Sequence, residues 1–210
     1  MHTGVIRTAD TQYRREIEGL ATLVRSFTVT IVGRGGASQG SGVVWHPDGI
    51  IASNAHVVAD GRLAVALSDG RELDARVVAH DRRRDLALLR VGAQDLHTAP
   101  IGDPSALRAG SLVLAVGHPW GVSNALSLGV VHSVVRNREG APRWIAADVR
   151  LAPGNSGGPL MDASGRLVGL NAMIVNGLGA AIPVNLVLTF VKEALERGAV
   201  SPPLSRPWAA

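Results

Sequence analysis

Beyond residue 26 the apolar residues come in short runs, each closed by a turn signal, and no other feature restricts the fold as much. "SGVVWHPDGIIAS", "RLAVALSDGRELDARVVAHD", "DLALLRVG", "SLVLAVGHPWG", "LSLGVVHSVVRN", "RWIAADV" and "GRLVGLNAMIV" follow one another through residue 175. Pro-Asp-Gly at 47–49 and Asp-Gly at 69–70 sit between such runs and read as hairpin turns. The 25 Gly and 11 Pro among 210 residues suit many short elements joined by turns. Strands at this spacing, without helical patterns between them, predict barrels or a sandwich. With 46% apolar residues there is material for one large β-rich domain or two small ones. A division into two β-halves is expected near "GDPSALRAG" at 102–110.

Two segments break the pattern. "DTQYRREIEGLATLVR" at 10–25 places Ile17, Leu20, Leu23 and Val24 at helical spacing, with Asp10 as N-cap. "NLVLTFVKEALERG" at 185–198 predicts a second helix. Its N-cap is Asn185, its apolar stripe Leu186, Phe190, Val191 and Leu195, and its stop Gly198. The Pro-rich "SPPLSRPWAA" at 201–210 reads as a tail.

Several functions are excluded or disfavoured. Without cysteine there is no thiol nucleophile, disulfide framework or cysteine-ligated zinc. No run approaches the roughly 18 to 20 apolar residues of a membrane span, so no membrane insertion is expected. "MHTGVIRTADTQYRREIEGL" lacks the apolar core of a signal peptide, so the sequence as written reads as cytoplasmic, or as extracytoplasmic if a leader was removed. The net charge of +4 is scattered, and its one local run, "DRRRD" at 81–85, is flanked by acids. With aromatics at 3%, that charge reads as a solvated surface, with no nucleic-acid face.

"GNSGGPL" at 154–160 sets a lone serine among glycines. Serine attacks a carbonyl only when a base takes its proton, and that base needs an acid to hold its tautomer. His56 in "IIASNAHVVAD" lies where an apolar strand ends. Asp85 in "RDLALLRV" heads an apolar strand, a costly place for a carboxylate without a partner. Each is weak on its own: a strand-end His, an Asp turn cap and a Gly-rich turn are all commonplace. Together they supply base, orienting acid and nucleophile. "GNSGG" also satisfies the Gly-x-Ser-x-Gly elbow of α/β-hydrolases, but there the His follows the Ser, and no histidine follows His132. The order His56, Asp85, Ser156 is that of chymotrypsin-like proteases.

"GSGVVWHPDGIIASNAHVV", "DLALLRV", "GHPWG", "APGNSGGPL", "GRLVGLN" and "GAAIPVN" resemble, in order, the motifs of the HtrA/Deg family of trypsin-like serine proteases. The resemblance runs from about residue 24 to 190. It implies an all-β fold of two six-stranded antiparallel barrels, with an N-terminal and a C-terminal helix. The expected divisions are a helical segment at 1–23, the first barrel at 24–105, and the second barrel with its helix at 106–200. By motif, His56 resembles the general base, Asp85 its orienting acid and Ser156 the nucleophile. Gly154, Asn155 and Ser156 match the oxyanion loop, with the N–H groups of Gly154 and Ser156 facing the developing charge. Arg150, Leu151, Asn171, Ala172 and Met173 are expected around the first substrate pocket. The family implies a small or medium aliphatic residue there, whereas Arg150 either turns outward or recruits acidic substrates.

The resemblance further implies polypeptide substrates, protein quality control, no cofactor, no metal, and assembly as a homo-trimer through the N-terminal segment, unless the 10–25 helix simply covers a barrel. Family members commonly work outside the cytoplasm. Asn155 stands where digestive relatives carry an aspartate that pairs with a new N-terminus, so no zymogen cleavage is expected and "TIVGRGG" reads as the first barrel strand. No PDZ domain is expected within these residues. The rival reading is a latent or non-cleaving, chaperone-like module that holds peptide in the same cleft by strand addition.

Overall fold

Strand pairing closes two six-stranded antiparallel barrels. The computed structural model describes residues 3–33, 38–58, 63–118 and 125–200. After helix α1 (Thr3–Phe27), the first barrel is built from β1 (Thr28–Val32), β2 (Ser38–His46), β3 (Ile50–Ser53), β4 (Leu63–Ala66), β5 (Glu72–Asp81) and β6 (Leu86–Val91). Around it the order is β1-β2-β3-β6-β5-β4, with β4 returning to β1. The second contains β7 (Leu112–Gly117), β8 (Ala125–Arg136), β9 (Pro142–Asp148), β10 (Pro159–Asp162), β11 (Leu167–Val175) and β12 (Leu178–Pro183), and α2 (Val184–Glu196) follows. Its order is β10-β11-β12-β9-β8-β7. Closure removes the exposed sheet edges that invite aggregation. The tail at 201–210 and the "PWG" of the "GHPWG" motif lie outside the described residues.

The sequence periods explain the layers. Along β4, Leu63 and Val65 are buried while Ala64 and Ala66 are half-buried, the alternation of a one-sided strand. Leu86 through Leu89 of β6 are all buried, because α2 packs outside this strand. One apolar cluster runs through the first barrel into α1 (Val24, Phe27), α2 (Phe190, Val191) and the facing wall of the second barrel (Leu114, Met161). A smaller cluster fills the second barrel around Val113, Ile145 and Val168. The barrels therefore share a core, and removing Phe27 or Phe190 to Ala would cost about 3–5 kcal/mol.

Both helices differ from expectation at their starts. Helix α1 begins at Thr3, so Asp10 lies inside it rather than capping it. Helix α2 begins at Val184 after Pro183, and Asn185 sits in its first turn with its amide donating to Pro142 O at 3.2 Å. Proline already ends the preceding strand and fixes the entry angle, so no side-chain cap is required. At the other end Gly198 has φ +67°. Ala199 N–H bonds Ala194 O and Gly198 N–H bonds Leu195 O, a Schellman closure. The fully sheltered stripe is Val187, Phe190, Val191 and Ala194, with Leu186 and Leu195 at its margins. Among the described residues no helix is long and apolar enough to cross a membrane.

Candidate active site

His56 lies in the 3-10 turn Ala55–Val58 that follows β3. Ala55, Val57 and Val58 of this turn are buried. His56 alone faces out, with 49% of its side chain exposed. Asp85 closes the turn from β5 to β6 in a left-handed conformation, φ +55°, which is unusual for a residue with a Cβ. Its surroundings hold that turn. Asp81 Oδ1 accepts the N–H groups of Arg83 and Arg84, and Asn54 Nδ2 donates to Asp85 O at 3.0 Å. The Arg84 guanidinium is gripped by Asp81 and by both oxygens of Glu193 in α2, and lies over the Phe190 ring.

The carboxylate receives His56 N–H on Oδ1 at 3.0 Å and His56 Nδ1 on Oδ2 at 2.8 Å. An ionised carboxylate only accepts, so Nδ1 carries the proton and the Nε2 lone pair points outward, the tautomer of a general base. The hydrogen bond that His56 donates to Asp85 raises the imidazole pKa above its ordinary 6.5, against a smaller opposing effect of burial.

Ser156 lies between β9 and β10 in a loop shaped by backbone bonds. Asn155 N–H donates to Ala152 O at 3.0 Å. Pro153 occupies the second position of this turn and Gly154, at φ +105°, the third, which is the type II pattern. Among the described residues, neither the Gly154 N–H nor the Ser156 N–H has an acceptor. Backbone N–H groups without an acceptor are the donors that an oxyanion requires. Asn155 contributes differently from its neighbours: its N–H closes the turn, and its side chain is buried beside Gly117. Gly157 has φ +82°, and a Cβ there would come within 2.2 Å of Ser41 O and of Ser53 Oγ, so only glycine fits. The Ser156 hydroxyl donates to Ala172 O at 2.9 Å, away from His56.

The expected pocket residues divide. Arg150 is exposed, with its backbone N–H donating to Ser127 Oγ at 2.9 Å. Leu151 is half-buried, and its carbons stand 3.0–3.1 Å from where a Cβ on Gly179 would be. Asn171 is buried with its amide donating to Pro159 O, so its side chain turns into the core. Ala172 is buried and Met173 exposed. No three metal-ligating side chains cluster among the described residues.

Sequence reasoning passed over Ser41, Ser53 and Asn54, all fully buried beside the loop. The "GSG" at 40–42 was the available signal, since a serine between two glycines inside a strand has no packing motive. His118, the histidine of the "GHPWG" motif, is buried against Ser41 Oγ, and burial pushes its pKa down to about 4.

Paired barrels carrying this loop define a class, the trypsin-like peptidases, and residues 40–170 match the family model for a trypsin-like peptidase domain. A DegP-like periplasmic serine endoprotease of Pseudomonas fulva is 37% identical over 207 residues, covering 89% of this chain and 43% of that protein. The serine protease HhoA of Synechocystis is 40% identical over 174 residues, covering 77% and 44%. The HtrA-type protease AlgW with a tripeptide superposes with a TM-score of 0.78 at 33% identity, over 85% of this chain and 63% of that one. AlgW with a decapeptide gives 0.77 at 29%, over 85% and 67%. The chain belongs to the trypsin-like serine peptidases and, within them, to the HtrA family. It spans less than half the length of the curated relatives it matches.

Proposed function

We propose that this domain is a serine endopeptidase acting on unfolded or flexible polypeptide. The observation that carries the reading is the pairing of a base-ready His56, fixed on Asp85 at 2.8 Å, with two unoccupied amides at Gly154 and Ser156. Ser156 Oγ adds to the carbonyl carbon as its proton passes to His56 Nε2, and the carbonyl oxygen takes its negative charge between the two N–H groups. His56 then protonates the departing amine. Water, activated by the same imidazole, hydrolyses the acyl-enzyme and restores the hydroxyl. Exposed Met173, beside the carbonyl of Ala172, offers an edge along which an extended peptide would lie. Leu151 against Gly179 suits a small aliphatic side chain before the cut bond, and exposed Arg150 lies outside that pocket.

Relatives described as periplasmic support a site of action outside the cytoplasm; a part in protein quality control and assembly as a homo-trimer through α1 belong to the same reading. One observation favours a second reading, a latent or peptide-holding module: the Ser156 hydroxyl is bonded to Ala172 O. Digestion of β-casein by the chain and by Ser156→Ala, with mass spectrometry of the products, separates the two. Fragments made by the former and absent with the latter are expected, and the residue before each cut will report the pocket. An intact substrate bound equally by both proteins would establish the holding module instead.

A further inference from the structure

Among the described residues eight polar side chains are buried, and six of them (Ser41, Ser53, Asn54, His118, Asn155 and Asn171) surround the Ser156 loop and Asp85. Buried polar groups weaken a core unless each is hydrogen-bonded, so such a concentration calls for a physical reason. Ser41 is its hub. From β2 in the first barrel its N–H donates to Ser156 O at 2.8 Å, and its hydroxyl donates to Gly154 O at 2.7 Å. The hydroxyl oxygen in turn accepts the His118 N–H at 3.1 Å. Its carbonyl accepts the Ser53 hydroxyl at 2.7 Å. Asn54, the next residue, donates from its side chain to Asp85 O at 3.0 Å.

Ser41 of the first barrel thus bonds the carbonyls of both residues whose N–H groups are bare, and the His118 N–H adds a longer bond to Gly154 O at 3.3 Å. Peptide planes are stiff, and a residue turns only about φ and ψ. Pinning the carbonyl of Gly154 therefore removes one of its two rotations, and Gly154 has no side chain to restrain the other. We propose that Ser41 is the positioning residue of the oxyanion loop, holding the Gly154 and Ser156 amides in register and tying them, through Ser53 and Asn54, to the Asp85–His56 pair. This rests on the reading of that loop as an oxyanion hole. Ser41 touches neither substrate nor nucleophile oxygen; its influence passes through the two carbonyls.

The test uses a peptide that the chain cleaves out of β-casein, together with the boronic acid of the same sequence, whose tetrahedral adduct on Ser156 fills the oxyanion position. Ser41→Ala should lower kcat about 10- to 100-fold, less than the 100- to 1,000-fold cost of losing a donor outright. KM should stay within about twofold, as for an interaction expressed only in the transition state. Boronate affinity should fall in proportion to kcat. Ser41→Cys keeps the volume and a weak donor, so it should lie between the two proteins, and it decides the matter alone should Ser41→Ala fail to fold. A wild-type kcat in Ser41→Cys or Ser41→Ala, or a loss confined to KM, would overturn the inference while leaving the protease reading intact. A wild-type chain that neither cleaves nor binds the boronate would defeat the protease reading, and this inference with it.

Discussion

The two barrels contribute to the site in different materials. The first supplies side chains that already hold each other: His56 meets Asp85 through two bonds, and Asn54 fixes the acid's backbone. The second supplies mostly backbone, the bare amide of Gly154 in a type II turn and that of Ser156 just beyond it, and the Ser156 side chain rests on Ala172 O. The acid–base half is complete without substrate because all of its parts come from one closed barrel between residues 54 and 85. In the nucleophile half the Ser156 hydroxyl is engaged by Ala172 O instead. A neutral hydrogen bond has a net worth of about 0.5–1.5 kcal/mol, so releasing that hydroxyl costs little. In the proposed reaction that hydroxyl exchanges Ala172 O for His56 as its partner.

Four changes break or sharpen that contrast. The largest effect should come from the first half: Asp85→Asn presents the wrong tautomer of His56 and should lower kcat by roughly 10⁴-fold with the fold intact, measured on a cleaved peptide. On the second half, Gly154→Ala puts a Cβ on a residue at φ +105°. The turn should relax towards type I and withdraw its amide, for a loss in kcat of about 100- to 1,000-fold.

The remaining two concern protons. His118 is neutral in its buried place, with a folded pKa of about 4 against 6.5. Between those values the unfolded chain binds the proton first, so stability falls as pH drops from 6.5 to 4, by at most roughly 3 kcal/mol. Chemical denaturation across that window should show the decline, and His118→Asn should flatten it. His56 is shifted the other way by Asp85. It works as a base only when neutral, so kcat/KM should rise with pH through a midpoint above 6.5, and this limb should move down in Asp85→Asn.

Much of this was legible in the sequence for local reasons. Pro-Asp-Gly at 47–49 and Asp-Gly at 69–70 mark real hairpins, and Gly49 and Gly70 take positive φ as those turns demand. His56 and Asp85 stood out because each interrupts an apolar strand at its end. Contacts made across the chain were not legible. Ser41 lies 113 residues from Gly154, and nothing in "GSG" names its partner. Asn171 is expected in the pocket wall only through the family resemblance; its amide donates to Pro159 O, a contact across strands that no local pattern encodes. Helix α1 was read too short because Asp10 is a good cap by type, although the helix already continues from Thr3. The resting rotamer of Ser156 depends on one carbonyl sixteen residues away, which no local pattern encodes.

The most direct test of a prepared acid–base pair beside a resting nucleophile is covalent labelling with a fluorophosphonate, read by intact mass and located by peptide mapping. The account predicts one adduct per chain on Ser156, formed in the wild-type protein near pH 8 and lost in His56→Ala. No adduct, an adduct on another residue, or labelling indifferent to His56 would contradict it.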